Sequence, residues 1–433
     1  MPAEDRRGYL DDWLAWTQSA VRSLEPAARC LADLVSLVLA AGGSLYVCGN
    51  GGSAADAQHF AAELVGRFLR ERAALPVVAL TANTSVLTAL GNDYGFDAVF
   101  GRQVEAMARP GDCLMVISTS GRSPNVLAAL RAGRRQGVLT IALVGPEGLD
   151  PSVVSCCDFC LAVSGPDGGT AETWSGMATP HVQEVHLALL HYVAHLVERG
   201  VESRRGRPRR CALRPAVFLD RDGTVVQERG HITDERDLAV LPGAADAVRR
   251  LKGAGFVVVL TTNQSVVARR LVDGPGLERL HGRLRALAGE RGAVLDAIYH
   301  CPHHPEHGLP GGPCACRKPM PGMMLRAADE MSLDLGASFV IGDNWTDVQA
   351  AAACGAHGVL VLTGSGAGAL AAGSPLAAES AGRWSVATDL AAAADDVIAR
   401  HRANESWPAP GGRAGTPGPA EAGRGPGDDS HRH

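Results

Sequence analysis

With 433 residues the chain has room for two or three domains at about 150 residues each, so a single small module is excluded. Apolar residues make up 46% and charged residues 20%, which excludes bulk disorder, and a net charge of −5 excludes a chain-wide basic field for nucleic acid or anionic membrane. The opening MPAEDRRGYLDDWLAWTQSA mixes acids and bases where a leader needs an apolar stretch, and no run reaches the roughly 18 apolar residues of a membrane span. A cytoplasmic protein without nucleic-acid or membrane partners is expected. The 11 cysteines are diluted and unevenly spaced, a pattern for reduced thiols, some of them metal ligands. Lys252 and Lys318 are the only lysines, so a position that needs an ammonium stands out.

Two helical segments are expected first, around 9–24 and 26–41. From Leu45 to His195 the β-rich runs LYVCG, PVVAL, CLMVIS, LTIALVG and FCLAV alternate with amphipathic stretches, the signature of a parallel sheet with crossover helices. A long helical pattern follows from Val182 to Glu198. The segment 199–214 has seven arginines and almost no apolar residue, and reads as a solvated linker. A second alternating series begins at Ala216 with AVFLD, VVVLTTN, LDAIYH, FVIGD and GVLVLTG. Beyond Asn404 the chain is rich in Pro and Gly and aperiodic, the composition of a disordered tail. The expected layout is therefore 1–200 and 215–403 as two doubly wound α/β domains, 201–214 as linker and 404–433 as tail.

After LYVCG comes Asn50-Gly51-Gly52-Ser53 and then a helix. Glycines let backbone N–H groups close on an anion, and a helix N-terminus adds its dipole. A second such turn, Ser118-Thr119-Ser120-Gly121-Arg122-Ser123, follows CLMVIS and has no Gly-Lys of a nucleotide loop. Such a hydroxyl-dense strand end suits a sugar phosphate. On the helix after the first loop His59 and Glu63 are four apart and share a face, the spacing of metal ligands and equally of a polar helix face. Gln183 and His191 lie eight residues apart on one helix, about 12 Å of rise, so sharing one ion requires converging side chains or a second subunit.

CGNGGS, DAQHFAAEL, GNDYGF at 91–96, ISTSGRS and QEVHLALLH together resemble the sedoheptulose 7-phosphate isomerases of the SIS superfamily, over about residues 8 to 200. The resemblance implies a zinc ion on His59, Glu63, Gln183 and His191, with Glu63 and His191 as acid/base groups and Asp93 as an essential acid. It also implies sugar-phosphate contacts from Asn50 to Ser53, Arg67, Asn92, Gln183 and Ser118, Thr119, Ser120 and Ser123, and a homotetramer. Pro180-His181 departs from the pattern, which more usually has an arginine there. A non-catalytic SIS module is the alternative, disfavoured because all four metal-type residues are present.

In the second half AVFLD runs into Asp220-Arg221-Asp222-Gly223-Thr224. Two carboxylates two residues apart at a strand end can divide labour, one attacking phosphorus and the other protonating the leaving alcohol. Thr262-Asn263, Lys318 and Asp343 with Asp347 follow at later strand ends, supplying a hydroxyl, an ammonium and carboxylates suited to phosphate and Mg²⁺. Cys301, His303, Cys314 and Cys316 form two tight pairs in a Gly/Pro-rich loop, the pattern of a closed tetrahedral zinc site.

FLDRDGT, TTNQS, CPHH and CACRKPMPGM are similar to the HAD phosphatases that act on D-glycero-D-manno-heptose 1,7-bisphosphate, and to histidinol-phosphate phosphatases, over about residues 214 to 365. By that resemblance Asp220 is the nucleophile and Asp222 the general acid/base. Asp220, Asp222 and Asp343 hold Mg²⁺, Thr262, Asn263, Arg317 and Lys318 meet substrate, and the zinc loop is structural. Val266 and Arg270 stand where the pattern has glycines, and Asn344 where a lysine commonly follows the aspartate. Heptose is the substrate series both resemblances share. Together they imply a bifunctional enzyme of nucleotide-activated heptose synthesis, working with a separate heptose kinase and nucleotidyltransferase.

Overall fold

The chain begins with one helix, α1 (Ala3–Ala41), not the two expected from its sequence. Pro26 lies inside it and removes one backbone hydrogen bond, an interruption that costs about 3 kcal/mol in an isolated helix. Ala20, Ala28, Leu31, Leu34, Val35 and Val38 are fully or almost fully buried on the same helix. Burial of each large side chain contributes about 1.5–3 kcal/mol, enough together to carry the helix through the proline.

In this computed structural model, residues 3–146, 151–163, 179–204, 213–304, 314–376 and 382–405 are described. After α1 come β1 (Leu45–Gly49), α2 (Gly52–Val65), β2 (Val77–Ala79), α3 (Thr84–Tyr94), α4 (Gly101–Met107), β3 (Cys113–Ser118), α5 (Pro124–Gln136) and β4 (Leu139–Val144). Next are α6 (Pro151–Val154), β5 (Phe159–Ala162) and α7 (Thr179–Arg204). The parallel sheet has the order β2-β1-β3-β4-β5. Strands β1, β3 and β4 are buried along their whole length, as a parallel sheet covered on both faces requires. The chain leaves β1 toward β2 on one side while β3 pairs on the other, so a crevice opens between the carboxyl ends of β1 and β3.

The second half runs β6 (Arg214–Leu219), α8 (Ala244–Gly253), β7 (Val257–Asn263), α9 (Ser265–Ala268), α10 (Gly274–Gly289), β8 (Ala297–Cys301), α11 (Gly322–Met331) and β9 (Leu333–Gly342). It finishes with α12 (Trp345–Ala353), β10 (His357–Val361), α13 (Gly366–Ala371), β11 (Trp384–Ala387) and α14 (Leu390–Glu405). The order β11-β10-β9-β6-β7-β8 puts the equivalent crevice between β6 and β9. Both halves are thus parallel-sheet α/β domains, as the alternating runs imply.

Helix α7 extends to Arg204, past the expected Glu198 and four residues into the span read as linker, and β6 already includes Arg214. The buried stripe Val193, Val197 and Val201 on α7 explains the added turns. Residues 205–212 and 406–433, where linker and tail are expected, lie outside the described residues. No helix among the described residues is long and apolar enough to cross a membrane.

Candidate active sites

The first crevice is built by two loops. Asn50 after β1 and Asn125 at the start of α5 exchange side-chain amide hydrogen bonds, each 2.9 Å, tying the loops together. Gly51 adopts a φ of 55°, and Ser53 is buried at the first turn of α2. A Cβ on Gly52 would lie 2.5 Å from Gln183 Nε2, so only glycine admits the α7 carboxamide to this turn. In the second loop the Gly121 N–H donates to Ser118 Oγ at 3.1 Å and the Arg122 N–H to Ser120 Oγ at 3.3 Å. Those hydroxyls shape the turn and retain their own protons for a ligand.

Two turns down α2, His59 Nε2 lies 2.7 Å from His191 Nε2 and 3.6 Å from Glu63 Oε1. His191 in turn stacks on Phe68, with ring centroids 5.6 Å apart. The structure therefore gathers His59, Glu63 and His191, and places Gln183 at the other end of the same α2–α7 seam, against Gly52. Asn92 and Asp93 sit on α3, a helix with no buried residue, where the Asn92 amide donates to the Asp93 carboxylate at 2.9 Å. Arg67 is exposed and pairs with Glu71 at 3.7 Å.

Glu198 was not singled out from the sequence. Fully buried on α7, it accepts from the backbone N–H groups of Phe68, Leu69 and Arg70 at 2.9, 3.0 and 3.2 Å and pairs with Arg72 at 3.3 Å. Burial raises its pKa, but those donors outweigh it and hold the carboxyl below its ordinary value. The segment carrying Phe68 is thereby pinned beneath His191. A lone acid on an otherwise apolar stripe was the available signal. The Pro180-His181 departure also has a packing reason. His181 is buried, with ring centroids 4.0 Å from Trp13 and 5.8 Å from Trp16 of α1.

In the second crevice the Lys318 ammonium is the hub. It donates to Asp220 Oδ1 at 2.6 Å, Asp347 Oδ1 at 2.5 Å and the Thr261 carbonyl at 2.8 Å. Burial lowers its pKa, yet Asp220 and Asp347 overcome that and raise it above the usual lysine value. Asn263 fixes the Lys318 backbone at both ends, accepting from its N–H at 3.0 Å and donating to its carbonyl at 3.1 Å. It therefore positions the lysine. Thr262 is buried and accepts from Gln264, and Arg317 donates to the His303 carbonyl at 3.0 Å, toward the cysteine loop.

The carboxylates of Asp220, Asp343 and Asp347 offer oxygens within 4.8 Å of one another. Burial, with repulsion from Asp220 and Asp347, pushes Asp343 up to about 7 against the pull of the Ser365 N–H at 2.7 Å. A Cβ on Gly223, whose φ is 74°, would collide with the Asp343 carboxylate. Three hard oxygen donors around a single ammonium leave net negative charge, which suits a magnesium ion. Asp222 is turned elsewhere. Its two oxygens accept from Arg221 Nε, both at 3.0 Å, and Gln264 Nε2 lies 3.2 Å from Oδ2. Burial raises its pKa against the pull of Arg221, the direction a proton donor needs. Neither Arg221 nor Gln264 was singled out from the sequence.

The departures in this half fall on backbone features. Asn344 caps α12, accepting from the Thr346 N–H at 3.1 Å in a capping box with Asp347, which gives the asparagine a local reason. Arg270 takes a φ of 57° where the pattern has glycine, and Val266 is buried.

Cys301, His303, Cys314 and Cys316 gather at the end of β8. Cys301 Sγ is 3.6 Å from both His303 Nδ1 and Cys314 Sγ, and His303 Nδ1 is 3.3 Å from Cys316 Sγ. Hydrogen bonds from Cys301 and Cys316 pull the Cys314 thiol well down, toward the thiolate a metal requires. Four soft donors at these separations fit tetrahedral zinc with no open position. Cys314→Ser is expected to lower the melting temperature and release one equivalent of zinc while isomerase turnover persists, read by differential scanning calorimetry and metal analysis.

The comparisons with known proteins agree with this division. The family model described as SIS domain matches residues 8–145, and the HAD-hydrolase-like model matches residues 315–393. A phosphoheptose isomerase from Rhodospirillum rubrum is 51% identical over 173 residues, covering 40% of this chain and 85% of that protein. One from Pelobacter propionicus is 47% identical over 199 residues, covering 44% of this chain and 98% of that protein. The solved D,D-heptose 1,7-bisphosphate phosphatase from B. bronchiseptica, complexed with magnesium and phosphate, is 38% identical, covering 43% of this chain and 99% of that one, with a TM-score of 0.39. The chain belongs to the phosphoheptose isomerase family through its first half, and its second half carries the match to the HAD-hydrolase-like family model.

Proposed function

We propose that the chain is a bifunctional enzyme of heptose activation. Its first half isomerises sedoheptulose 7-phosphate to D-glycero-D-manno-heptose 7-phosphate, and its second removes the 7-phosphate from D-glycero-D-manno-heptose 1,7-bisphosphate. The observation that supports this reading is that each half gathers its own cluster of acid/base and metal-type side chains, His59, Glu63 and His191 in the first and Asp220, Asp343 and Asp347 around Lys318 in the second.

In the first half the Asn50–Ser53 and Ser118–Ser123 turns take the sugar phosphate, and Glu63 and His191 move the proton between carbons 2 and 1. His59, Glu63 and His191 would hold zinc, which when bound polarises the sugar oxygens, while Gln183, expected as a fourth ligand, lies about two turns away against Gly52. In the second half Asp220 attacks phosphorus and Asp222 protonates the departing sugar oxygen, while Lys318 neutralises charge on the phosphoryl group. Asp220 and Asp343 would hold Mg²⁺, which screens carboxylate from phosphate, whereas the Asp222 side chain, expected as a third ligand, is held by Arg221 outside that carboxylate cluster. Asp222 must first turn from Arg221. Asp347, engaged by Lys318, serves to orient the ammonium.

The exposed apolar residues Val65 at the end of α2, Leu69 just beyond it, and Tyr94 and Phe96 at the end of α3 offer apolar surface for a homotetramer built by the first half. Light scattering of the full chain is expected to give four chains per particle, and a monomer would remove the assembly from the reading. The phosphatase assignment is tested by phosphate release. Heptose 1,7-bisphosphate is expected to be hydrolysed faster than histidinol phosphate, with activity lost in EDTA and restored by Mg²⁺. Preference for histidinol phosphate would move the second half to the related phosphatases.

A further inference from the structure

Glu198 stands on α7 two helical turns beyond His191, about 10 Å of rise, on the same side of the helix and fully buried. The segment 66–76, between α2 and β2, is neither helix nor strand, so its N–H groups need acceptors from elsewhere. Glu198 supplies three of them. Its Oε1 accepts from the Phe68 N–H at 2.9 Å, and its Oε2 from those of Leu69 and Arg70 at 3.0 and 3.2 Å.

Arg72 completes the arrangement from the other side. Its side chain is fully buried, with Nε 3.3 Å from Glu198 Oε1. Its Nη2 donates to the Glu63 carbonyl at 2.9 Å, and its Nη1 to the carbonyls of Gly66 and Ala73, both at 3.1 Å. Glu63 and Gly66 lie at the carboxyl end of α2, where the last carbonyls have no partner within the helix and a positive charge is favoured.

A closed ring results. It runs from His191 along α7 to Glu198, across Arg72 to the Glu63 backbone, through the Glu63 side chain to His59 at 3.6 Å, and from His59 back to His191 at 2.7 Å. Phe68, whose N–H Glu198 holds, stacks on His191 with 21° between the ring planes. We propose that Glu198 and Arg72 are positioning residues of the isomerase, fixing α2 against α7 and holding Phe68 beneath His191 so that Glu63 and His191 keep the separation proton transfer requires. Neither touches the reacting atoms.

A buried ion pair gains little stability over apolar packing of the same size, because desolvation cancels much of its attraction. What this pair supplies is direction, since its contacts go to particular backbone groups on both sides of the seam. A displacement of about 1 Å at reacting groups costs on the order of a hundredfold in rate. This role rests on the proposed isomerisation, in which the sugar phosphate is held by the Asn50–Ser53 and Ser118–Ser123 turns. Loosening the ion pair therefore slows the chemical step and leaves substrate affinity nearly alone.

The test uses the full chain carrying Glu198→Gln, Phe68→Leu or both, each assayed well below its unfolding transition so that all of the protein is folded. Glu198→Gln turns an amide N–H₂ toward groups that are themselves donors. It is expected to lower kcat for ketose isomerisation by about 10 to 100-fold, with KM within about threefold and phosphatase turnover unchanged. Phe68→Leu is expected to cause part of the same loss, and the double variant to fall no more than about twofold below Glu198→Gln, because both act on the packing under His191. A Glu198→Gln chain that melts earlier but keeps the wild-type kcat would overturn the positioning role, and losses that multiply in the double variant would overturn the path through Phe68. Should Glu198→Gln not fold, Arg72→Lys carries the test. Its ammonium can stay with Glu198 but cannot also hold the Glu63 and Gly66 carbonyls, so a similar loss of kcat is expected and a wild-type kcat would overturn the role. A wild-type chain that leaves the ketose unchanged would overturn the proposed isomerisation itself, whereas variants that match an active wild type overturn the positioning role alone.

Discussion

Asp220→Asn is expected to lower phosphate release from heptose 1,7-bisphosphate by at least about a thousandfold, or about 4 kcal/mol of transition-state stabilisation. The amide is a poor nucleophile, and no other carboxylate can take over. Asp222 is held by Arg221 and Gln264, Asp343 receives the Ser365 N–H, and Asp347 is bound to Lys318. Stability should change little. Asp220 attracts Lys318 but repels Asp343 and Asp347, so neutralising it removes terms of opposite sign. Isomerase turnover in the same preparation reports that the chain is folded, and trapping the acyl-phosphate in wild type but not in the variant checks the role of the side chain. Retained phosphate release would remove Asp220 as nucleophile.

Glu63→Gln is expected to lower aldose formation by about 10² to 10⁴-fold, the range for loss of a positioned acid/base group. The amide keeps the size of the side chain and its place beside His59, but it can neither take up a proton nor carry charge to a metal. Phosphatase activity in the same chain should be unchanged, since Glu63 lies on α2, which among the described residues packs mainly on β1, β2, β3 and α7 of the first half. Undiminished isomerase turnover would favour a first half that only binds or assembles.

Much of both sites was legible because their residues are local. Asn50 to Ser53, Ser118 to Ser123, Asp220 with Asp222, and the paired cysteines each occupy a few consecutive positions at the end of an apolar strand. Those strands announce themselves as runs too apolar for a surface. What was not legible depends on distant packing. Glu198 acquires its role only when residues 68–72 fold back over α7, and Asp222 acquires its orientation in part from Gln264 at the end of the neighbouring strand β7. Pro26 suggested a break, and the buried face of α1 overrode it. Strand β11 is a short, partly exposed edge with a weak apolar signal. The hydrogen bonds from Arg383 of the second half to the first left no mark because their acceptor is the Arg135 carbonyl, a group present at every residue.

The most direct test is mass spectrometry of the products formed from sedoheptulose 7-phosphate by the purified full chain with Zn²⁺ and Mg²⁺. The chain alone should yield the aldose 7-phosphate without releasing phosphate. Adding a heptose kinase and ATP should carry the sugar on to heptose 1-phosphate, with one phosphate released per sugar. Unchanged ketose, or a 1,7-bisphosphate that accumulates once the kinase is present, would contradict the assignment of one reaction to each half.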